Sequence, residues 1–146
     1  MTERETKSEL KEVLTRVVDS ADGYEHSAKE SEDGRFAVMF RERAGERRGF
    51  AEEIRNHLRG LGEEVADDGS ILAGAHRAFT SIRDAVTGSD DHSVVEEVER
   101  GETRLLSEYD EALNDLPAAD PAHGMLERQR QAVQNSLNDF RSMKTR

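Results

Sequence analysis

The sequence predicts an all-α protein: a four-helix bundle of two antiparallel helical hairpins, with an additional shorter crossover helix between them. Three observations point there. Apolar residues recur at three- and four-residue spacing over five stretches, the mark of helices that bury one face. Each stretch has its own turn or capping residues, so the helices are separate elements and not one long coil. The chain holds two prolines, no tryptophan and no cysteine, with few β-branched runs, which leaves long helices as the default. At 146 residues it is one domain's worth and can bury a real core, so a single domain over 1–146 is expected.

Composition also narrows function. Without cysteine there is no disulfide framework, thiolate nucleophile or thiolate metal site. The N-terminal MTERETKSELKE is charged and lacks the apolar centre of a secretory signal. No stretch approaches the roughly 20 apolar residues needed to span a bilayer. A cytoplasmic location with no membrane partner is the expectation. The net charge of −11 argues against nucleic acid, because phosphate contacts need a basic face. Lysine is confined to Lys7, Lys11, Lys29 and Lys144. An acidic, lysine-poor surface suits a salty cytoplasm, and a high-GC genome gives the same arginine bias.

The first helix is expected over 6–31, with Leu10, Val13, Leu14, Val17, Ala21, Tyr24 and Ala28 on its stripe. Gly23 lies mid-helix at a cost of about 1 kcal/mol against alanine, consistent with close packing. The turn SEDG, ending at Gly34, closes the first hairpin. The second helix, over 35–61, ends at Gly60 and Gly62 and centres Phe36, Phe40, Ile54, Leu58 and Leu61 on one face. A shorter helix over 70–87 starts at the N-cap Ser70 and stops at Gly88. At about 1.5 Å per residue it is long enough to carry the chain from one end of a bundle to the other. The next long helix, over 90–116, has Ser89 or Asp90 as N-cap and Val94, Val98, Leu105, Tyr109, Ala112 and Leu116 inside. Pro117 ends it. The last helix, over 120–143, opens with Asp120 as N-cap and Pro121 in the first turn, and buries Leu126, Val133, Leu137, Phe140 and Met143, with Gln129 and Ser136 among them.

Charged residues inside these stripes carry the sharpest information. Arg47 points along the middle of the second helix's inner face and Arg43 lies beside it. Burying a guanidinium unpaired would be prohibitive. Glu102 sits within the stripe of the 90–116 helix. It is about eight residues below the start of its helix, against about seven and eleven for Arg43 and Arg47, so all three share one depth at about 1.5 Å per residue. The expected result is a buried inter-helix ion pair, Arg47 favoured over Arg43, with Tyr24, Glu25 or Gln129 completing the hydrogen bonds.

Two hairpins joined by one long crossover is the ferritin-like arrangement, whose di-metal members converge inward carboxylates and two Glu-x-x-His motifs on the bundle centre. This sequence does not supply that set. Glu53 and His57 are spaced four apart, Glu53 points away from the core stripe, Glu25 is on a flank, and only Glu102 is well placed. Those four are the candidate metal residues, with iron or manganese the cation, yet Arg43 and Arg47 put the wrong sign of charge at the centre. His26, His76, His92 and His123 fall at flanks or helix starts. No serine has a His and Asp constellation, and no phosphate-binding loop is present.

The strings DGYEHSA (22–28), AGERRGFAEEI (44–54), GSILAGAHRAF (69–79), ERGETRLLSEYDEAL (99–113) and ERQRQAVQNSLNDFRSM (127–143) resemble a bacterial ferritin-like four-helix-bundle family of unknown function. The resemblance runs in order along nearly the whole chain. The family's recurring residues match Gly23–Tyr24, Arg47–Phe50–Ala51, His76–Arg77 and Arg100–Gly101–Glu102 here. Lys29 departs from it, standing where the family usually has glutamate. The resemblance implies a fold and no activity or cofactor. Two function classes follow: a non-enzymatic bundle, structural or stress-associated, working through its surface or by self-association as a homodimer; or a metal-binding oxidoreductase or metal-storage relative of ferritins.

Overall fold

The computed structural model describes residues 2–30, 34–64 and 91–143. Among them are four helices and no strand: α1 (Glu3–Glu30), α2 (Gly34–Gly60), α3 (Asp91–Asp115) and α4 (Pro121–Ser142). The shorter helix predicted over 70–87, with His76, lies outside the described residues, as do the N-cap candidates Ser89 and Asp90 and the side chains of His92 and Val94.

Local chemistry sets the helix ends. α1 starts at Glu3, earlier than the predicted Thr6, because Thr2 and Glu5 form a capping box: Glu5 N donates to Thr2 Oγ1 at 3.1 Å and Thr2 N to Glu5 Oε2 at 3.4 Å. α2 closes on a Schellman turn, with Gly62 at φ 89°, its N–H on Arg59 O at 2.9 Å and that of Glu63 on Leu58 O at 3.0 Å. Only glycine adopts that φ without strain. Asp120 caps α4, accepting from Ala122 N at 2.8 Å, and Pro121 follows where no N–H is needed.

Polar pairs along the seams give the helix directions. Lys11 reaches Glu63 beyond the end of α2 (2.8 Å) and Arg48 reaches Asp22 (2.7 Å), so α1 and α2 are antiparallel. Arg16 approaches Glu108 at 4.0 Å, and farther along α1 the Ser20 hydroxyl shares a guanidinium with Glu102, so α1 and α3 are antiparallel too. α4 runs against α3 through Arg130–Asp110 and Arg141–Glu99 (3.6 Å), and against α2 through Arg128–Glu53 (2.7 Å) and Arg43–Asp139 (3.0 Å). The helices therefore run up, down, down, up. α2 packs beside α1 and α4, and α3 does the same, which leaves the parallel α2 and α3 on a diagonal with no close backbone approach.

Core positions alternate at three and four residues, as in Leu10, Val13, Val17, Ser20, Tyr24, Ser27 on α1 and Val95, Val98, Glu102, Leu105, Tyr109, Ala112, Leu116 on α3. That 3.5-residue period keeps one seam facing inward between helices at shallow crossing angles. The core falls into two apolar clusters. One is aliphatic, from Leu10, Val13 and Val17 through Ile54, Leu58, Leu105 and Tyr109 to Leu126 and Val133. The other is aromatic, around Tyr24, Phe36, Phe40 and Phe140. The Tyr24 and Phe140 rings stack at 6.3 Å and Phe36 and Phe40 at 5.9 Å, within the range where such pairs add to burial. Each helix places a buried polar residue between the two clusters: Ser20, with Asp19 beside it, Arg47, Glu102 and Ser136. Extending the Arg16–Glu108 register by one heptad brings the buried Gly23 level with Gly101.

Candidate functional site

The polar layer is the chemically distinctive place in the bundle. Arg47 and Glu102 are 0% and 1% exposed. Arg47 Nη1 donates to Glu102 Oε1 at 2.7 Å and Nη2 to Oε2 at 2.9 Å, a bidentate fork across the α2–α3 diagonal. Nη1 also donates to Ser20 Oγ at 3.0 Å, and Nε to Glu46 Oε1 at 3.2 Å. The guanidinium lies over the Tyr24 ring, 5.5 Å from its centroid, which adds a cation–π contact in a dry setting. Burial alone would pull the Arg47 guanidinium down. The charge and hydrogen bonds of Glu102 more than reverse that and hold it above its ordinary value. Burial, with the Glu102 carboxylate beside it, pushes the Tyr24 phenol well above its usual range. Arginine and tyrosine are thus fixed as cation and neutral phenol.

The remaining predicted members go elsewhere. Arg43 does not join Glu102: its Nε donates to Ser136 Oγ at 2.7 Å and its Nη2 to Asp139 Oδ2 at 3.0 Å, with the guanidinium 5.9 Å from the Phe140 centroid. Its depth suits Glu102, but its rotation about α2 turns it toward α4. Gln129 also builds a separate network, accepting from the Tyr109 hydroxyl at 2.7 Å and donating to Glu53 Oε1 at 3.3 Å and Phe50 O at 3.4 Å. Burial raises the Tyr109 phenol, with Arg47 pulling the other way. Ser20 and Glu46 were missed by the sequence reading. Ser20 was legible: counted in heptads it continues the line Leu10, Val13, Val17, whereas the apolar stripe steps to Ala21 and passes over it.

The four candidate metal residues do not converge. Glu25 lies at the α1–α2 seam in a shallow cleft of about 240 Å³ with Asp22, His26, Lys29 and Arg48. The Arg48 hydrogen bond holds its carboxyl below the usual range, and Lys29 stands 3.7 Å away. Glu53 is likewise lowered by Arg128, on the α2–α4 seam, and His57 is half-buried one turn later. Glu102 has both oxygens on Arg47. Each carboxylate already meets a guanidinium from another helix. Among the described residues no three His, Cys, Asp or Glu side chains gather as metal ligands. A carboxylate-bridged metal pair needs several inward anions, and the residues at this centre do not fit it.

Among the described residues no helix is long and apolar enough to cross a membrane. No curated protein and no solved structure matches the chain. The profile of a family described as a domain of unknown function, DUF2383, matches residues 5–115. That span is most of the chain and takes in α1, α2 and α3 with both partners of the buried pair, and the chain belongs to this family.

Proposed function

We propose that the chain is a single-domain, non-enzymatic bundle of ferritin-like topology, in which an arginine–carboxylate pair stands where metal-carrying relatives of that fold hold their cations. It works in the cytoplasm through its surface or by self-association, without a resident cofactor and without nucleic acid. The observation that carries this reading is the bidentate Arg47–Glu102 pair: the cation at the bundle centre is a side chain of the chain itself. The up, down, down, up order of the helices supports the topology, since a bundle with one long crossover has it. The net charge of −11 supports the absence of a nucleic-acid partner.

Elemental analysis of the purified protein after exposure to ferrous iron or manganese tests the reading. Less than a tenth of an equivalent retained, in the wild type and in Glu102→Gln alike, is expected. Stoichiometric iron or manganese that disappears in Glu102→Gln would replace it with a metal-binding function.

A further inference from the structure

The two hairpins, α1 with α2 and α3 with α4, meet along two seams of different construction. On the α1–α3 seam the backbones approach closely, with the buried Gly23 and Gly101 level with each other. Val13 and Ala112, both buried, lie about one turn beyond the Arg16–Glu108 contact on the same seam. On the α2–α4 seam close backbone approach is sparse, and side chains bridge the gap. Arg128 forks onto Glu53 at 3.1 and 2.7 Å, Gln129 donates to Glu53 and to Phe50 O, and Arg43 holds Ser136 and Asp139. Phe40 meets Phe140 across the same seam, ring centroids 6.1 Å apart. The ion pairs among these bridges stand in water: Arg128 is 61% exposed, Glu53 38% and Asp139 62%. Pairs so exposed hold little, because their charges are rehydrated on parting.

We propose that the bundle opens as a hinge: the α1–α3 seam stays packed, the α2–α4 seam parts, and the Arg47–Glu102 fork is the latch. Position makes the fork a latch. It spans the α2–α3 diagonal, and swinging the hairpins apart about the α1–α3 seam lengthens that diagonal. The fork must therefore break before Ser136 and Gln129 reach water. A fork broken in a dry core would strand two charges, whereas one broken as the seam parts is met by entering water. Closed and open are thus two discrete states, separated by the fork. The opening of the α1–α3 seam has no such relief, since what it would uncover there is the apolar packing around Val13 and Ala112. A region held by few apolar contacts and by exposed polar bridges is where a fold opens below its global unfolding.

The chain has no cysteine, so a single introduced thiol reports on each seam. Ser136→Cys places one on the α2–α4 seam and Ala112→Cys one on the α1–α3 seam, at positions 2% and 1% exposed. Each is labelled with a thiol reagent in native buffer at rising urea, and its rate is divided by the variant's own global unfolding constant. Ser136→Cys should label faster than Ala112→Cys by about tenfold or more, at a rate almost independent of urea, because hinge opening exposes little surface. Adding Glu102→Gln should raise that urea-independent rate by about tenfold or more, and the urea dependence separates this from loss of global stability. Should Glu102→Gln not fold, Ser20→Ala removes one acceptor from the latch and should raise the rate severalfold. Equal normalised rates, or a Ser136→Cys rate that climbs with urea as steeply as global unfolding, overturn the hinge. A urea-independent rate that the latch variants leave unchanged overturns the latch.

Discussion

Arg47 is a charge taken wholly out of water, and its neighbours account for four of the guanidinium's hydrogen bonds. Such a pair adds little net stability over a well-packed apolar equivalent, because each partner loses its hydration, but removing one partner strands the other. Arg47→Met and Glu102→Gln should each cost about 3–5 kcal/mol. The double variant Arg47→Met/Glu102→Gln should cost clearly less than the sum of its single changes in urea melts. Additive losses would show that the two side chains are not coupled. Ser20→Ala removes a neutral acceptor while the carboxylate stays, so a loss of about 1 kcal/mol is expected in the same measurement. The depth of Glu102 relative to Arg47 could be counted from the sequence, since rise per residue is fixed. The rotamer that sends Arg43 to Ser136 could not, because rotation about α2 by a few tens of degrees decides between two acceptors at similar depth.

Among the elements, the long helices were legible wherever a periodic stripe met a punctuating residue, as at Gly62 and at Asp120–Pro121. The beginning of α1 was not, although T-x-x-E is a capping signature, because apolar periodicity starts only at Leu10, well after the cap. Helix ends of this kind carry measurable weight. Gly62→Ala forces alanine into φ 89° and should destabilise by about 1 kcal/mol, with Gly60→Ala, in ordinary helical backbone and open space, at least neutral. Asp120→Ala should cost about 1 kcal/mol by leaving the Ala122 N–H without its acceptor. A thermal-melt comparison of the three variants separates conformational strain from simple loss of glycine.

For the molecule as a whole, four helices each contribute a polar residue to a layer between an aliphatic and an aromatic cluster. Alternative registers, slid by half a heptad, would bury Arg47 opposite Leu105 or Val98 and leave its charge unmet, so the layer selects one alignment. Acid should weaken the ion pairs on the outer seams. Arg128 lowers Glu53 and Arg48 lowers Glu25, so the stability each contributes is present above the ordinary carboxylate range and lost as pH falls below it. In Glu53→Gln the loss of stability between pH 5 and pH 2.5 should be smaller than in the wild type, by well under 1 kcal/mol given the solvent exposure of that pair.

The diagonal placement of the Arg47–Glu102 pair bears on how fast the bundle comes apart. Each hairpin gains its packing from neighbours close in sequence, but the fork between α2 and α3 can form only after both hairpins have docked. Contacts made that late are absent from the folding transition state, and losing them speeds unfolding while leaving the folding rate nearly unchanged. Stopped-flow chevrons of Arg47→Met should show the unfolding limb raised by a factor of about one hundred or more and the folding limb almost superimposed on the wild type. A folding limb slowed by a similar factor would place the pair in the nucleus instead. On the first outcome, the buried fork sets the residence time of the native state, and the interval between openings is decided by one contact across the diagonal.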